Sequence, residues 1–220
     1  MPIKWIRILI KNILPPILTN TYIILRDLQR NNLGVLFDGN DRVFKTLVEK
    51  AKVYAEYGTG KSTLWVLENT DAEVVTVDSN SHWIDFVKKK LGSPKRFHGI
   101  HVDVGELENW GRPTGYSKRD NFKRYTDVLW EDDIKPDMVL IDGRFRVCCF
   151  LTSIKYGNTG TKIVFDDYYS DRRNIYHIVE EFITPNLRHG RQAIFEIPAK
   201  DGIDMETLDQ YIASFRLVMD

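Results

Sequence analysis

An α/β fold with a doubly wound, mostly parallel sheet and helices on both faces follows from three features of the chain. Apolar runs of strand length alternate with helix-length amphipathic stretches, the pattern of successive strand–helix–strand units. One apolar strand runs into the glycine turn Glu56-Tyr57-Gly58-Thr59-Gly60, and the chain then resumes as a helix. The later apolar runs end in acids, at Asp78, Asp103, Asp142 and Asp166, and the carboxyl ends of parallel strands are where such sheets place their ligand groups.

The elements are read in order as follows. Residues 1–40 form a helical, basic amphipathic extension, and residues 41–220 form the α/β domain. Lys4, Arg7, Lys11 and Arg26 lie in the first 26 residues with no acid among them, interleaved with Trp5, Ile6, Ile8, Leu9, Ile10, Ile13 and Leu14. The apolar runs fall short of the ~18 residues of a spanning helix, and Pro15-Pro16 interrupts them. No small-residue cleavage site follows a continuous apolar stretch, so a signal peptide is not expected. Such a segment suits packing on its own domain or on a second subunit, and it also suits peripheral contact with an anionic membrane surface. Asn40-Asp41 is expected to cap a helix through Phe44, Leu47, Val48 and Ala51. Strands are expected at Val53 onward, Glu73–Asp78, Phe97–Val102, Val139–Ile141, Ile163–Phe165 and Gln192–Ile197. Helices are expected over Trp83–Leu91, Cys148–Lys155, Ile175–Ile183 and Met205–Phe215, the last capped by Asp204.

At 220 residues, with 43% hydrophobic and 28% charged side chains, the chain can bury a full core without covalent staples. Its 31 basic and 31 acidic residues cancel, so no global field draws it onto nucleic acid. The only cysteines, Cys148 and Cys149, are adjacent on an expected helix, where a structural disulfide between them is disfavoured. Reduced, cytoplasmic conditions fit that pair.

The glycine turn admits two chemistries. A phosphate-binding loop needs G-x-x-x-x-G-K-[ST]. Gly60-Lys61-Ser62 matches its end, but Ala55 stands where the first glycine belongs and Glu56 would face polyphosphate. A carboxylate there suits a ligand with positive charge, such as the amino and sulfonium groups of S-adenosyl-L-methionine. Asp78 follows Glu56 by 22 residues at the tip of the next strand, the spacing of an acid that accepts hydrogen bonds from ribose hydroxyls. Asp103-Val104, at the tip of the third strand, is placed for the exocyclic amine and ring edge of adenine. Helix capping is the plainer role for Asp78 and Asp103.

Glu56-Tyr57-Gly58-Thr59-Gly60, then Asp78, then Asp103 resembles the class I S-adenosylmethionine-dependent methyltransferase family, from about Phe44 to Ile197. The segments Val139-Leu140-Ile141-Asp142-Gly143-Arg144-Phe145-Arg146-Val147 and Ile163-Val164-Phe165-Asp166-Asp167-Tyr168 resemble small methyltransferase-like proteins, some linked to sugar or glycan modification. The resemblance implies a Rossmann-like sheet, with cofactor contacts at Glu56, Tyr57, Gly58, Thr59, Gly60, Ser62, Thr63, Asp78, Ser79, Asp103, Val104 and Asp142. The family's antiparallel last strand is hard to place in this sequence.

Methyl transfer asks an enzyme to position the acceptor in line and to help remove its proton. Asp142, Asp166 and Asp167 are expected to converge near the methyl group. Three carboxylates suit Mg²⁺ or Mn²⁺, and resemblance to metal-dependent O-methyltransferases makes these three the candidate ligands. The rival arrangement has no metal: one aspartate, Asp142 or Asp167, acts as base while Arg144 or Arg146 neutralises the cluster. Acceptor choice falls to Trp110–Trp130, whose Tyr116, Phe122, Tyr125 and Trp130 stand among Arg112, Lys118, Arg119, Lys123 and Arg124. Those aromatics suit a sugar or sugar nucleotide, or else pack inward from a surface helix. Tyr168, Tyr169, Arg172 and Arg173 are candidates for the other side of the cleft, and His177 is a candidate base, although a packing or surface role is the plainer one for a histidine on that helix. The sequence thus points to O-methylation of a hydroxyl on a small-molecule or glycan acceptor. The alternatives are a methyltransferase-fold binding module without turnover and a P-loop nucleotide hydrolase.

Overall fold

The computed structural model describes residues 35–37, 41–133, 135–170 and 174–220. The expected extension over residues 1–40 falls almost wholly outside the described residues, and so do Arg172 and Arg173.

Within residues 39–220, seven strands form one sheet: β1 (Val53–Tyr57), β2 (Glu73–Asp78), β3 (Phe97–His101), β4 (Met138–Ile141), β5 (Lys162–Phe165), β6 (Leu187–His189) and β7 (Gln192–Glu196). Their order is β3-β2-β1-β4-β5-β7-β6, with the first five parallel and the last two antiparallel to their neighbours. The direction of winding therefore reverses between β1 and β4, where the two strand tips part and a crevice opens. Tyr57 is level with Val77 and Ile141, and Ile141 is level with Phe165. That register sets Gly58, Asp78, Asp142 and Asp166 one step beyond, along the same edge.

Side chains alternate across this sheet as a two-residue period requires. Ala55, Tyr57, Val139, Ile141, Ile163, Phe165, Ala193 and Phe195 share one core with α4 (Phe122–Asp127), α5 (Arg146–Tyr156) and α6 (Met205–Phe215). Tyr54 points the other way, edge-on to Phe44 of α1 (Arg42–Val48), and Phe44 in turn packs on Trp65 of α2 (Lys61–Asn69). Glu56 has the same parity as Tyr54 and so projects toward α2. Helix α5 is buried from Arg146 to Ile154, which explains why its sequence is apolar nearly all round. Cys148 and Cys149 lie there as buried, free thiols, and burial pushes both thiol pKa values up.

Several expectations change at the edges. Helix α1 ends at Val48 rather than Ala51, and Asp41 occupies its N-cap position without a side-chain cap bond. Helix α3 (Ser81–Leu91) begins two residues earlier than expected and is capped by Asn80, whose side chain accepts from the His82 N–H. The stretch expected as a helix over Ile175–Ile183 is 3₁₀ over Asn174–Glu181. The antiparallel edge that the sequence left unplaced is the β6–β7 hairpin. Its two-residue turn is Gly190-Arg191, with Gly190 at φ +61° as such turns demand. Three residues with Leu187 and Arg188 exposed carry too little pattern to announce β6 in sequence.

Candidate functional site

The glycine turn is held by contacts that require glycine at one position and leave space at another. Gly58 has φ +99°, and a Cβ there would lie 3.0 Å from the Gly143 backbone. A Cβ on Gly143 would reach the Tyr125 hydroxyl at 2.5 Å and the Gly58 nitrogen at 2.9 Å. The tips of β1 and β4 thus touch through two glycines, and a side chain on either would separate them. Gly60 differs: its φ of −174° is ordinary extended backbone, and a Cβ there meets nothing within 4 Å. It borders the open side of the turn.

Glu56 lies beneath the turn, 1% exposed. Its two oxygens accept from the Ser62 hydroxyl and, at 2.7 Å, from the Thr63 hydroxyl. Thr63 Oγ1 also accepts the Gly60 N–H at 2.9 Å. Burial drives the Glu56 carboxyl up to about 8, against the pull of these hydroxyls. The arrangement also rules on the Gly60-Lys61-Ser62 segment. The Ser62 hydroxyl, like that of Thr63 beside it, is spent on a carboxylate, whereas a phosphate-binding loop would leave it for Mg²⁺.

Asp78 ties the turn to β2. Its Oδ2 accepts the Thr59 N–H at 2.7 Å and its Oδ1 accepts the Asn80 N–H at 2.7 Å. Asn80, not Asp78, caps the helix that follows. Burial raises the Asp78 carboxyl while the two N–H groups oppose that rise. The Ser79 hydroxyl donates to Gly111 O at 2.8 Å, which draws the loop after β3 across the tip of β2. In that loop Trp110 is held at φ +67° and is 65% exposed. A left-handed, solvent-facing tryptophan is costly without a reason, and sequence periodicity gives no sign of it. Asp103 is exposed. Its Oδ1 accepts the Gly105 N–H at 2.9 Å and its Oδ2 pairs with Lys118 at 3.3 Å. Both lower the carboxyl pKa, the Gly105 N–H most. Val104 is buried.

The tips of β4 and β5 are organised by Arg146, which is 3% exposed. Its Nε donates to Gly143 O at 3.0 Å and its Nη1 to Asp166 O at 2.7 Å. Its Nη2 donates to Asp142 O at 3.1 Å and Asp142 Oδ1 at 2.9 Å. Asp167 Oδ2 lies 3.9 Å from Nη1. The carboxylates of Asp142 and Asp167 therefore flank the guanidinium, and Asp166 meets it through its backbone carbonyl. Asp166 is turned away, its Oδ1 accepting from Gln192 Nε2 at 2.9 Å, and burial lifts its carboxyl to about 7. Asp167, at φ +60°, gives its Oδ1 to Arg191 at 2.6 Å. Among the described residues no group of three His, Cys, Asp or Glu is placed to hold a metal ion. Burial raises the Asp142 carboxyl and Arg146 opposes it. The Arg144 N–H donates to the Tyr125 hydroxyl at 3.2 Å.

The Tyr57 ring belongs to the core: its hydroxyl donates to Thr126 O at 2.5 Å and accepts from Trp130 Nε1 at 2.9 Å. Only its backbone lies at the turn. Of the Trp110–Trp130 aromatics, Phe122, Tyr125 and Trp130 are buried and Tyr116 is exposed. His177 bonds Glu180 at 2.8 Å, as does the Tyr168 hydroxyl, which places it in a separate cluster from Asp142. A strap that sequence reading missed is the segment 217–220. Arg112 Nε donates to Met219 O at 2.9 Å, the Tyr116 hydroxyl to Leu217 O at 3.2 Å and Arg144 Nη1 to Asp220 O at 3.1 Å. Asp220 Oδ1 accepts the Arg146 N–H at 2.8 Å.

No family model matches the sequence, and no curated protein matches it. Solved structures do. A methyltransferase-like protein from Silicibacter pomeroyi is 29% identical with a TM-score of 0.67, covering 78% of this chain and 92% of its own. An O-methyltransferase from Bacillus cereus in complex with S-adenosylhomocysteine is 16% identical at TM-score 0.43, covering 94% of this chain and 84% of its own. The N-methyltransferase NodS from Bradyrhizobium japonicum, also in complex with S-adenosylhomocysteine, is 12% identical at TM-score 0.45, covering 73% and 90%. With the strand order and the antiparallel β5–β7–β6 edge, the likeness to the Silicibacter protein shows that this chain has the Rossmann-like fold of the class I methyltransferases.

Proposed function

We propose that this protein is an S-adenosylmethionine-dependent O-methyltransferase acting on a hydroxyl of a sugar or glycan intermediate. One observation carries the reading: the open Gly60 side of the turn borders the edge along which Asp78 and Asp142 stand at the tips of β2 and β4, the two strands that flank β1. The residues fit the cofactor. Each Asp78 oxygen has accepted one N–H and keeps a lone pair for a ribose hydroxyl. The N-terminus of α2 and the buried Glu56 shape the methionine end, with Asp103 and Val104 at the adenine side. Trp110, exposed next to the Gly111 contact on Ser79, supplies a ring face there.

The bound cofactor supplies an electrophilic methyl group. Asp142, oriented by Arg146, accepts the proton of the acceptor hydroxyl as the new bond forms. The Arg112–Tyr116 loop and the 217–220 strap flank the acceptor side, and Tyr116 gives an aromatic surface of the kind that takes a sugar face. The sugar assignment rests on that surface and on the resemblance of the Asp142–Val147 and Asp166–Tyr168 segments.

Asp142→Asn separates this enzyme from a binding module of the same fold. Its amide keeps an oxygen to accept from Arg146, so S-adenosylhomocysteine affinity measured by calorimetry should persist. Methyl transfer to a hydroxyl acceptor, followed with labelled cofactor, should fall by about 10²–10⁴-fold. Unchanged turnover in the variant would remove Asp142 from the chemistry.

A further inference from the structure

We propose that the Arg146 guanidinium stands where a divalent cation would otherwise bridge Asp142 and Asp167, making this site metal-independent and Arg146 the positioning residue that aims Asp142. The statement about metal binding stands on geometry alone, and only its consequence for turnover rests on the methyltransferase reading.

The geometry is that of a cation built into the chain. Arg146 opens α5, yet its side chain folds back beneath the strand tips and donates to both the carbonyl and the carboxylate of Asp142, four residues earlier. The reversal is made by Phe145, a non-glycine residue at φ +55° that is wholly buried. Its ring packs on Phe122 at 4.7 Å and Tyr125 at 5.3 Å, contacts that hold a sparsely populated backbone conformation. The same guanidinium bonds Gly143 O and Asp166 O, so one side chain fixes the tips of β4 and β5 together.

A divalent ion would need oxygens converging at about 2.0–2.6 Å on one point. Asp166 has turned its Oδ1 to Gln192 and Asp167 its Oδ1 to Arg191. A further double charge beside Arg146 would meet direct repulsion in a poorly screened setting. The planar fork also does what an ion does not. Its three nitrogens are fixed by three carbonyls, and Nη2 holds Asp142 at both its main-chain oxygen and Oδ1, which sets the direction in which the other carboxylate oxygen points.

The test is a Mn²⁺ titration of the full-chain protein, alone and with S-adenosylhomocysteine, followed by electron paramagnetic resonance. The expected spectrum remains that of the free ion up to ~1 mM, the weak limit of protein sites for divalent cations. Saturable binding that disappears in Asp142→Asn would overturn the proposal. The positioning role is read separately, from the carboxyl titration of Asp142 by ¹³C NMR in Arg146→Lys and Arg146→Gln. The midpoint should rise in Arg146→Gln and return toward that of the wild type in Arg146→Lys, a pattern that a merely structural role would not give. An unmoved midpoint in the glutamine variant would overturn it. Should Arg146→Gln fail to fold, an Asp142 midpoint in Arg146→Lys more than one pH unit above the wild type would overturn it. If the protein did not bind S-adenosylhomocysteine at all, the methyltransferase reading would fall while the Mn²⁺ result kept its meaning.

Discussion

Glu56 carries the clearest pH signature in the molecule. Its carboxyl is lifted from an ordinary 4.5 to about 8 by burial. Between those values the folded protein holds a proton that the unfolded chain has lost, so stability falls as pH rises through that window and levels off above it. Glu56→Gln removes the titration, and its amide can serve both hydroxyls after they rotate. The variant should match the wild type near pH 5 and exceed it in thermal midpoint by a growing margin up to pH 8, as calorimetric scans would show. A constant difference across that range would refute the assignment. The two turn glycines make a paired prediction. Gly58→Ala combines left-handed strain of about 1–3 kcal/mol with a backbone clash of about the same cost, and denaturant melts should show the loss. Gly60→Ala should stay within about 0.5 kcal/mol of wild type while weakening S-adenosylhomocysteine binding at least tenfold, because its methyl group would occupy only the ligand's space. The sequence displayed both glycines but did not distinguish them. The difference lies in Gly143, more than eighty residues away, against whose backbone Gly58 rests.

At the scale of elements, local pattern was a good guide wherever an element is buried by its own periodicity. Strands β1 to β5 and helix α6 with its Asp204 cap stand close to where their apolar spacing and capping residues put them. What escaped was set by distant partners. The β6 strand exists because β7 needs an edge neighbour, and the 217–220 strap because Arg112, Tyr116, Arg144 and the Arg146 N–H receive it. The Asp142–Arg146 contact was partly legible, since an acid and an arginine four apart at a helix start suggest a pair. Where the side chains of Asp166 and Asp167 turn was not, because they are met by Gln192 and Arg191 from the hairpin. A variant ending at Arg216 loses these four hydrogen bonds and that from the Val218 N–H to Phe215 O, each worth about 0.5–1.5 kcal/mol when partly exposed. Its melting temperature should drop by several degrees. Its S-adenosylhomocysteine affinity should not change, since the strap touches Arg144 and Arg146 beyond the end of β4 and the loop after β3 rather than Gly58–Gly60. A loss of affinity would place the strap in the cofactor site.

For the molecule as a whole, the reversal of winding between β1 and β4 brings the glycine turn, the acid of β2 and the arginine-braced tips of β4 and β5 to one edge. None of the described helices is long and apolar enough to cross a membrane, and the balanced charge of the chain gives no general attraction to nucleic acid. The proposed methyltransferase reading places cofactor and acceptor recognition at that edge. The measurement that tests this most directly is calorimetric titration of the protein with S-adenosylhomocysteine and with Mg-ATP, using Asp78→Ala and Lys61→Ala as controls. The structure predicts micromolar binding of S-adenosylhomocysteine, lost in Asp78→Ala and kept in Lys61→Ala, with no heat from Mg-ATP. Binding of Mg-ATP that depended on Lys61, with none of S-adenosylhomocysteine, would contradict it.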